Sequence, residues 1–70
     1  MYNEEMKEAD RKYQEEPTLQ NELALEKAKL KYWTEECNKN PNDKDALSRL
    51  KFHQDEVDRI ENEIKLDAGV

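Results

Sequence analysis

The sequence predicts an all-α protein: an antiparallel helical hairpin of the coiled-coil kind, with an N-terminal helical arm that completes either a three-helix bundle or a helical dimer. Only one glycine and two prolines occur in 70 residues, which leaves little turn chemistry for a sheet. Charged residues make up 43% of the chain and apolar residues 34%, against usual values of about 25% and 45–50%. The apolar residues recur at alternating spacings of four and three, which is the period of one helix face.

Residues 1–16 form the predicted arm, which is acidic and amphipathic. Its helix is expected to end near Pro17, because a proline biases the residue before it away from helical geometry. Its apolar stripe would be rotated by roughly 100° from the hairpin stripe if one helix ran through unbroken, at 100° per residue. The arm therefore either folds back at Pro17 onto the hairpin or extends to engage another chain. The stripe consists of Tyr2, Met6, Ala9 and Tyr13.

Residues 17–70 form the predicted hairpin, with helices at about 18–38 and 43–66. Between them lies a run of turn-forming residues around Pro41. Asn42 or Asp43 can cap the second helix, and Gly69 can terminate it.

Antiparallel pairing of the two helices predicts six layers, all centred between Pro41 and Asn42, in the turn found independently. The layers pair Cys37 with Ala46, Trp33 with Leu50, Leu30 with His53, Glu26 with Val57, Leu23 with Ile60, and Leu19 with Ile64. The hairpin core is accordingly expected to contain Leu19, Leu23, Leu30, Trp33, Leu50, Val57, Ile60 and Ile64.

Glu26 and His53 are the two polar residues in this seam, and they lie in adjacent layers. They can pair with each other, as a pH-sensitive or register-setting contact. Alternatively, both side chains lean out to water. The second alternative is favoured, because charged residues are seldom buried unless they are paired.

The first hairpin helix carries a second apolar stripe, which the other hairpin helix cannot cover. Together with the arm, it provides the residues expected to bind a partner, although a stripe of this kind is also typical of internal packing in a monomer or self-dimer. The expected partner-binding residues are Tyr2, Met6, Tyr13, Leu25, Ala28 and Tyr32.

No catalytic, cofactor-binding or metal-binding set is expected. The lone Cys37 and the lone His53 are separated by about 10 Å of helix, too far for a nucleophile and its base. A zinc site needs about four converging ligands, and the single glycine excludes a glycine-rich phosphate loop. The sequence therefore predicts that the chain is not an enzyme.

The net charge is −6, and the twelve cations are scattered among eighteen anions, so direct binding to nucleic acid is not expected. No apolar run approaches the roughly 20 residues of a membrane span, and the first residues do not resemble a signal peptide. A single cysteine favours a reducing compartment, most simply the cytoplasm.

The predicted function is that of a non-catalytic protein–protein interaction module, such as a small helical adaptor, chaperone or regulator. It would bind a partner helix or associate with itself as a homodimer. The alternative is an acidic inhibitor of the phage type, a nucleic-acid mimic that occupies a basic cleft of a host enzyme. This alternative ranks lower, because the anions alternate with lysines and do not form a phosphate-like row.

Overall fold

A computed structural model describes residues 3–68 and contains three helices and no strand in that range, which confirms the all-α prediction. Helix α1 spans Glu4–Glu15, α2 spans Leu19–Lys39, and α3 spans Lys44–Ala68. The two hairpin helices thus lie within one or two residues of the predicted ranges. Tyr2 and Gly69 lie outside the described residues.

Each helix begins at a side chain that accepts a hydrogen bond from the first turn. The Asn3 side chain accepts from the backbone N–H of Met6 at 2.9 Å, and the Thr18 hydroxyl accepts from that of Asn21 at 3.1 Å. Asp43 Oδ1 accepts from the backbone N–H of Ala46 at 3.1 Å. Of the two predicted caps of the last helix, Asp43 is therefore the one used. These contacts satisfy amide groups that have no partner within a helix.

Helices α2 and α3 pack together as an antiparallel hairpin. Near the turn, the Arg49 guanidinium lies 5.1 Å from the centre of the Trp33 ring, one residue from the predicted partner Leu50. Farther from the turn, Arg59 Nη2 lies 3.3 Å from Glu22 Oε2, and each of these residues is next to a member of the predicted pair of Leu23 and Ile60. The two contacts thus agree with the register that the apolar spacing predicts.

The arm folds back at Pro17, and α1 packs antiparallel against α2. The Asn21 side chain donates to the carbonyl of Glu16 at 2.8 Å, next to the bend. At the other end of α1, Lys31 Nζ lies 3.1 Å from Glu5 Oε1. Of the two predicted arrangements of the arm, the chain adopts the folded-back one.

The three helices form an open arrangement with α2 in the centre. On α2, the stripe that faces α3 and the stripe of Leu25, Ala28 and Tyr32 are roughly 150° apart at 100° per residue. Helices α1 and α3 therefore pack on nearly opposite sides of α2. Among the described residues, no Cα of α1 lies within 8 Å of a Cα of α3. The molecule measures 43 × 24 × 13 Å, and its radius of gyration of 13.2 Å exceeds the about 11 Å of a compact domain of this length.

The core is small because a single layer of helices covers few side chains completely. Ile60 and Val57 are buried in the α2–α3 seam, with 0% and 4% of their surface exposed. The other six residues of the expected hairpin core keep partial exposure: Leu19, Leu23, Leu30, Trp33, Leu50 and Ile64. The other buried apolar residues in the described range are Met6, Leu25, Ala28, Cys37 and Ala46.

Candidate partner-binding groove

A groove lies where the start of α1 approaches the hairpin, and it contains a cavity of about 460 Å³. Met6 of α1 lies at one side, with Lys29 and Trp33 of α2 between the two outer helices. The first turns of α3 form the other side, where Arg49 and Phe52 are the largest residues. We refer to this site as the Trp33 groove. It exists because α1 and α3 flank α2 without meeting each other.

Three aromatic rings, those of Trp33, Phe52 and His53, line the Trp33 groove. The Trp33 ring packs edge-on against Tyr32, with ring centres 5.0 Å apart, and the Arg49 guanidinium covers it from α3. Phe52 packs edge-on against His53 at 5.1 Å, yet 58% of its surface remains exposed. An aromatic ring exposed beside an aromatic-lined cavity is typical of an anchor residue in a protein interface.

His53, which lines the groove, is in contact with Glu26 beside it. Glu26 Oε1 lies 2.8 Å from His53 Nδ1, and Glu26 Oε2 lies 3.4 Å from Lys29 Nζ. The Glu26 and His53 side chains are only 12% and 13% exposed. The preference for both side chains leaning out to water was therefore wrong. The paired arrangement is favoured over the exposed one because each group supplies the hydrogen bond that the other loses on leaving water.

This hydrogen bond also orients the imidazole of His53. A carboxylate oxygen can only accept, so Nδ1 of His53 is the donor in this contact. No buried side-chain nitrogen or oxygen in the described part of the chain lacks a partner, and His53 lines the cavity.

The predicted partner-binding residues divide into two groups. Met6, Leu25 and Ala28 are buried between α1 and the hairpin, with 1%, 6% and 4% of their surface exposed. Tyr13 and Tyr32 are partly exposed. With α1 in place, the first three can meet a partner only if the arm moves, and their binding role stays a prediction.

Phe52 is the residue that the sequence reasoning missed. It does not belong to the heptad stripe of α3, and the sequence pattern was therefore not used to give it any role. The available signal was a large apolar residue on an otherwise polar helix face. Leu47 and Leu66 are comparably exposed, at 47% and 62%, but neither lines the groove cavity.

Two arginines neutralise the acidic surface locally. Arg11 pairs with Glu8 and Glu15 on α1, and its hydrogen bond to Glu8 lowers the pKa of that carboxyl. Arg59 on α3 contacts Glu56 and Glu63 at 3.1 and 2.9 Å, and these bonds, first the one from Glu56, raise the pKa of Arg59. The anions are thus interrupted by fixed positive charges.

Arg59 also joins the two hairpin helices, because its Nη2 lies 3.3 Å from Glu22 Oε2 on α2. Salt bridges this exposed contribute little to stability. Their effect is to place fixed positive charges among the anions, although each cluster keeps a net negative charge.

Within residues 3–68, no three His, Cys, Asp or Glu side chains are arranged to hold a metal ion. None of the helices in this part of the chain combines the length and the apolar character that crossing a bilayer requires. Comparison of the chain with protein families, with curated proteins and with solved structures finds no match in any of the three.

Proposed function

We propose that the protein is a non-catalytic protein–protein interaction module and that it binds its partner through the Trp33 groove. The observation that carries this proposal is the position of Phe52, which is 58% exposed at the edge of a cavity of about 460 Å³. Exposing a phenylalanine to water is unfavourable, because burying such a side chain stabilises by about 1.5–3 kcal/mol. A partner that covers the ring recovers this free energy.

The composition of the groove supports a protein partner. Interface hot spots are enriched in tryptophan, tyrosine and arginine. Here Trp33 contacts both others, Tyr32 edge-on and Arg49 over its ring face. Met6, with 1% of its surface exposed, belongs to the buried wall of the groove and is not part of the accessible surface. Lys29 and the His53 ring provide polar contacts at the margin.

The proposed binding surface leaves the arm closed. Binding to Leu25 and Ala28 would require α1 to leave α2, with loss of the Met6 burial and of the contact between Lys31 and Glu5. The Trp33 groove is accessible without that cost. We therefore assign the first contact with a partner to the groove.

The charge distribution favours apolar docking over mimicry of nucleic acid. A mimic would need a continuous row of free carboxylates, whereas Arg11 and Arg59 each hold two or more of them. This distribution is more typical of an interaction module than of an acidic inhibitor. For location, we propose the cytoplasm, because Cys37 is a free and buried thiol, as expected in a reducing compartment.

Site-specific photo-crosslinking in the native cells tests this proposal. A photoreactive phenylalanine analogue replaces Phe52 in one variant and Leu47 in the other. Leu47 is a matched control, because it is 47% exposed on the same helix and lies about 140° around the axis from Phe52. We expect a defined crosslinked protein from position 52 and none from position 47.

The crosslink at position 52 should persist when the cells are lysed and labelled in high salt. Surface charge attraction is screened within about 8 Å at physiological ionic strength, but apolar packing is not. A crosslink that disappears in high salt, or equal labelling from both positions, contradicts apolar docking at the groove.

A further inference from the structure

Helix α1 is held in place by few contacts. It packs on α2 alone, since no described Cα of α1 comes within 8 Å of a Cα of α3. Met6 is its one buried residue, whereas Ala9 and Tyr13 of the same stripe stay half-buried. Among the described residues, the exposed pair of Glu5 and Lys31 is the one salt bridge that joins α1 to another helix. A helix of 12 residues is only marginally stable by itself in water, so α1 depends on these contacts.

The two ends of α1 are attached in different ways. At the C-terminal end, the bend at Pro17 leads directly into α2, and the Asn21 side chain donates to the carbonyls of Lys12 and Glu16 at 3.4 and 2.8 Å. The N-terminal end is held by the burial of Met6. Helix α1 can therefore turn about the bend when Met6 leaves its site, without any break in the seam between α2 and α3.

The N-terminal end of α1 is also one wall of the Trp33 groove. Met6 lines the cavity on this side, and the first turns of α3 line it on the other. Departure of Met6 would remove the wall. It would also uncover Leu25 and Ala28 on α2, of which only 6% and 4% of the surface is exposed while α1 is docked.

We propose that α1 is a lever that opens about Pro17 as one unit while the α2–α3 hairpin stays folded, and that its opening takes the Trp33 groove apart. Segments with few buried contacts open at a lower free energy than the core of a protein, in cooperative units. Docked α1 completes the groove, and open α1 removes it. The consequence for a partner rests on the proposed function, whereas the opening itself does not depend on what binds.

Native-state hydrogen exchange of the full chain tests the independent opening. The matched variants are Leu25→Ala, on the face of α2 that α1 covers, and Val57→Ala, in the α2–α3 seam, since these residues are 6% and 4% exposed. Leu25→Ala should accelerate exchange in α1 by at least about tenfold, because a truncated buried side chain weakens docking. Val57→Ala should accelerate exchange in α3 and leave the rates in α1 unchanged.

Exchange in the wild type keeps this test independent of how the variants fold. The amides of α1 should share one opening rate, at least about tenfold faster than that of the central amides of α3. A common rate for α1 and α3, or an acceleration of α1 by Val57→Ala equal to that of α3, would mean that the whole chain unfolds together. Either result overturns the proposal.

Trp33 reports the state of the groove, because it is the only tryptophan of the chain. Leu25→Asp places a charge under α1 and should release it, since burying an unpaired charge is unfavourable. Acrylamide should then quench the fluorescence of Trp33 more strongly than in the wild type. Gln20→Asp is the matched control, because Gln20 is exposed on the same helix and does not line the groove. Equal quenching in the two variants, with α1 released in Leu25→Asp, contradicts the dependence of the groove on α1.

The lever and the interaction module fail separately. In cells, the crosslink from position 52 should be kept in Gln20→Asp and should fall by at least about tenfold in Leu25→Asp, because only the docked state is competent to bind. A crosslink that is kept in Leu25→Asp overturns the control of binding by α1 and still supports the interaction module. No crosslink from position 52 in any variant overturns the interaction module, while exchange and quenching still decide whether α1 opens and dismantles the groove.

Discussion

Glu26 of α2 and His53 of α3 are joined by a 2.8 Å hydrogen bond in the middle of the hairpin, where only 12% and 13% of their side-chain surfaces are exposed. Apolar residues of the seam continue on both sides of this contact. A shift of one helix against the other would separate the two groups and leave each without its partner. The pair therefore favours one register of the hairpin over its neighbours, the best-attested use of polar groups in a seam.

The Glu26–His53 contact predicts strong coupling in a double-mutant cycle. We expect Glu26→Leu and His53→Leu each to lower the free energy of unfolding by about 1–3 kcal/mol, because each leaves a half-buried polar partner unsatisfied. The double variant should lose less than the sum of the two, with an interaction energy of about 0.5–3 kcal/mol. Urea denaturation followed by circular dichroism measures all four proteins. Simple additivity would mean that the contact does not exist in solution.

The burial of Met6 should hold the arm, helix α1, against α2. Met6 is the buried residue of α1, and only 1% of its surface is exposed. Met6→Ala should lower the free energy of unfolding by about 2 kcal/mol or more, and amide hydrogen exchange should accelerate in α1 more than in α3.

The control for Met6→Ala is Met6→Leu, which keeps the volume and should cost less than about 1.5 kcal/mol. Exchange in α1 that is already as fast in the wild type as in Met6→Ala would show that the arm is not docked.

Asp43 predicts a measurable capping contribution at the start of α3. Its carboxylate accepts from the backbone N–H groups of Asp45 and Ala46 at 3.0 and 3.1 Å. Asp43→Ala should lower the free energy of unfolding by about 1 kcal/mol, within a range of about 0.5–2 kcal/mol. Asp43→Asn keeps the accepting oxygen and should retain most of this stability. Equal losses in the two variants would assign the effect to charge and not to the cap.

The contact between Glu8 and Arg11 should make the stability of α1 depend on pH. Its hydrogen bond with Arg11 lowers the pKa of Glu8 below the ordinary value of 4.5. A lowered pKa in the folded state means that the contact stabilises at pH values above the ordinary carboxyl range and that this contribution is lost as the pH falls through the lowered value. A titration followed by the side-chain carbon resonances of Glu8 measures the shift directly.

Arg11→Gln should return the pKa of Glu8 towards its ordinary value. Lys7→Gln is the matched control, because Lys7 contacts Glu4 and not Glu8. A pKa of Glu8 that does not respond to Arg11→Gln would remove the assigned cause.

The elements of the fold were predictable because their causes are local. Pro17 and the turn around Pro41 interrupt the helices through steric effects on adjacent residues. Asn3, Thr18 and Asp43 cap the helices through contacts two or three residues away. The spacing of the apolar residues of α2 and α3 then determines which helix faces meet.

The candidate groove was less predictable than the helices. Trp33 was expected between the hairpin helices, and the Arg49 guanidinium of α3 lies 5.1 Å from its ring centre. Phe52 was given no role. The exposure of a side chain on a helix depends on what the neighbouring helices leave uncovered, and the periodicity of α3 alone contains no information on that.

The sequence by itself determined three helices, their ends and the antiparallel pairing of α2 with α3, because these follow from contacts within a few residues and from one apolar period. Only the tertiary structure decided that the arm folds back, that Glu26 pairs with His53 and that a groove opens beside Phe52. The contacts responsible join residues 26 or more positions apart, such as Glu5 with Lys31 and Glu26 with His53. These contacts form only when whole helices are placed correctly relative to one another. The amphipathic pattern of the arm allowed two such placements, folded back or extended.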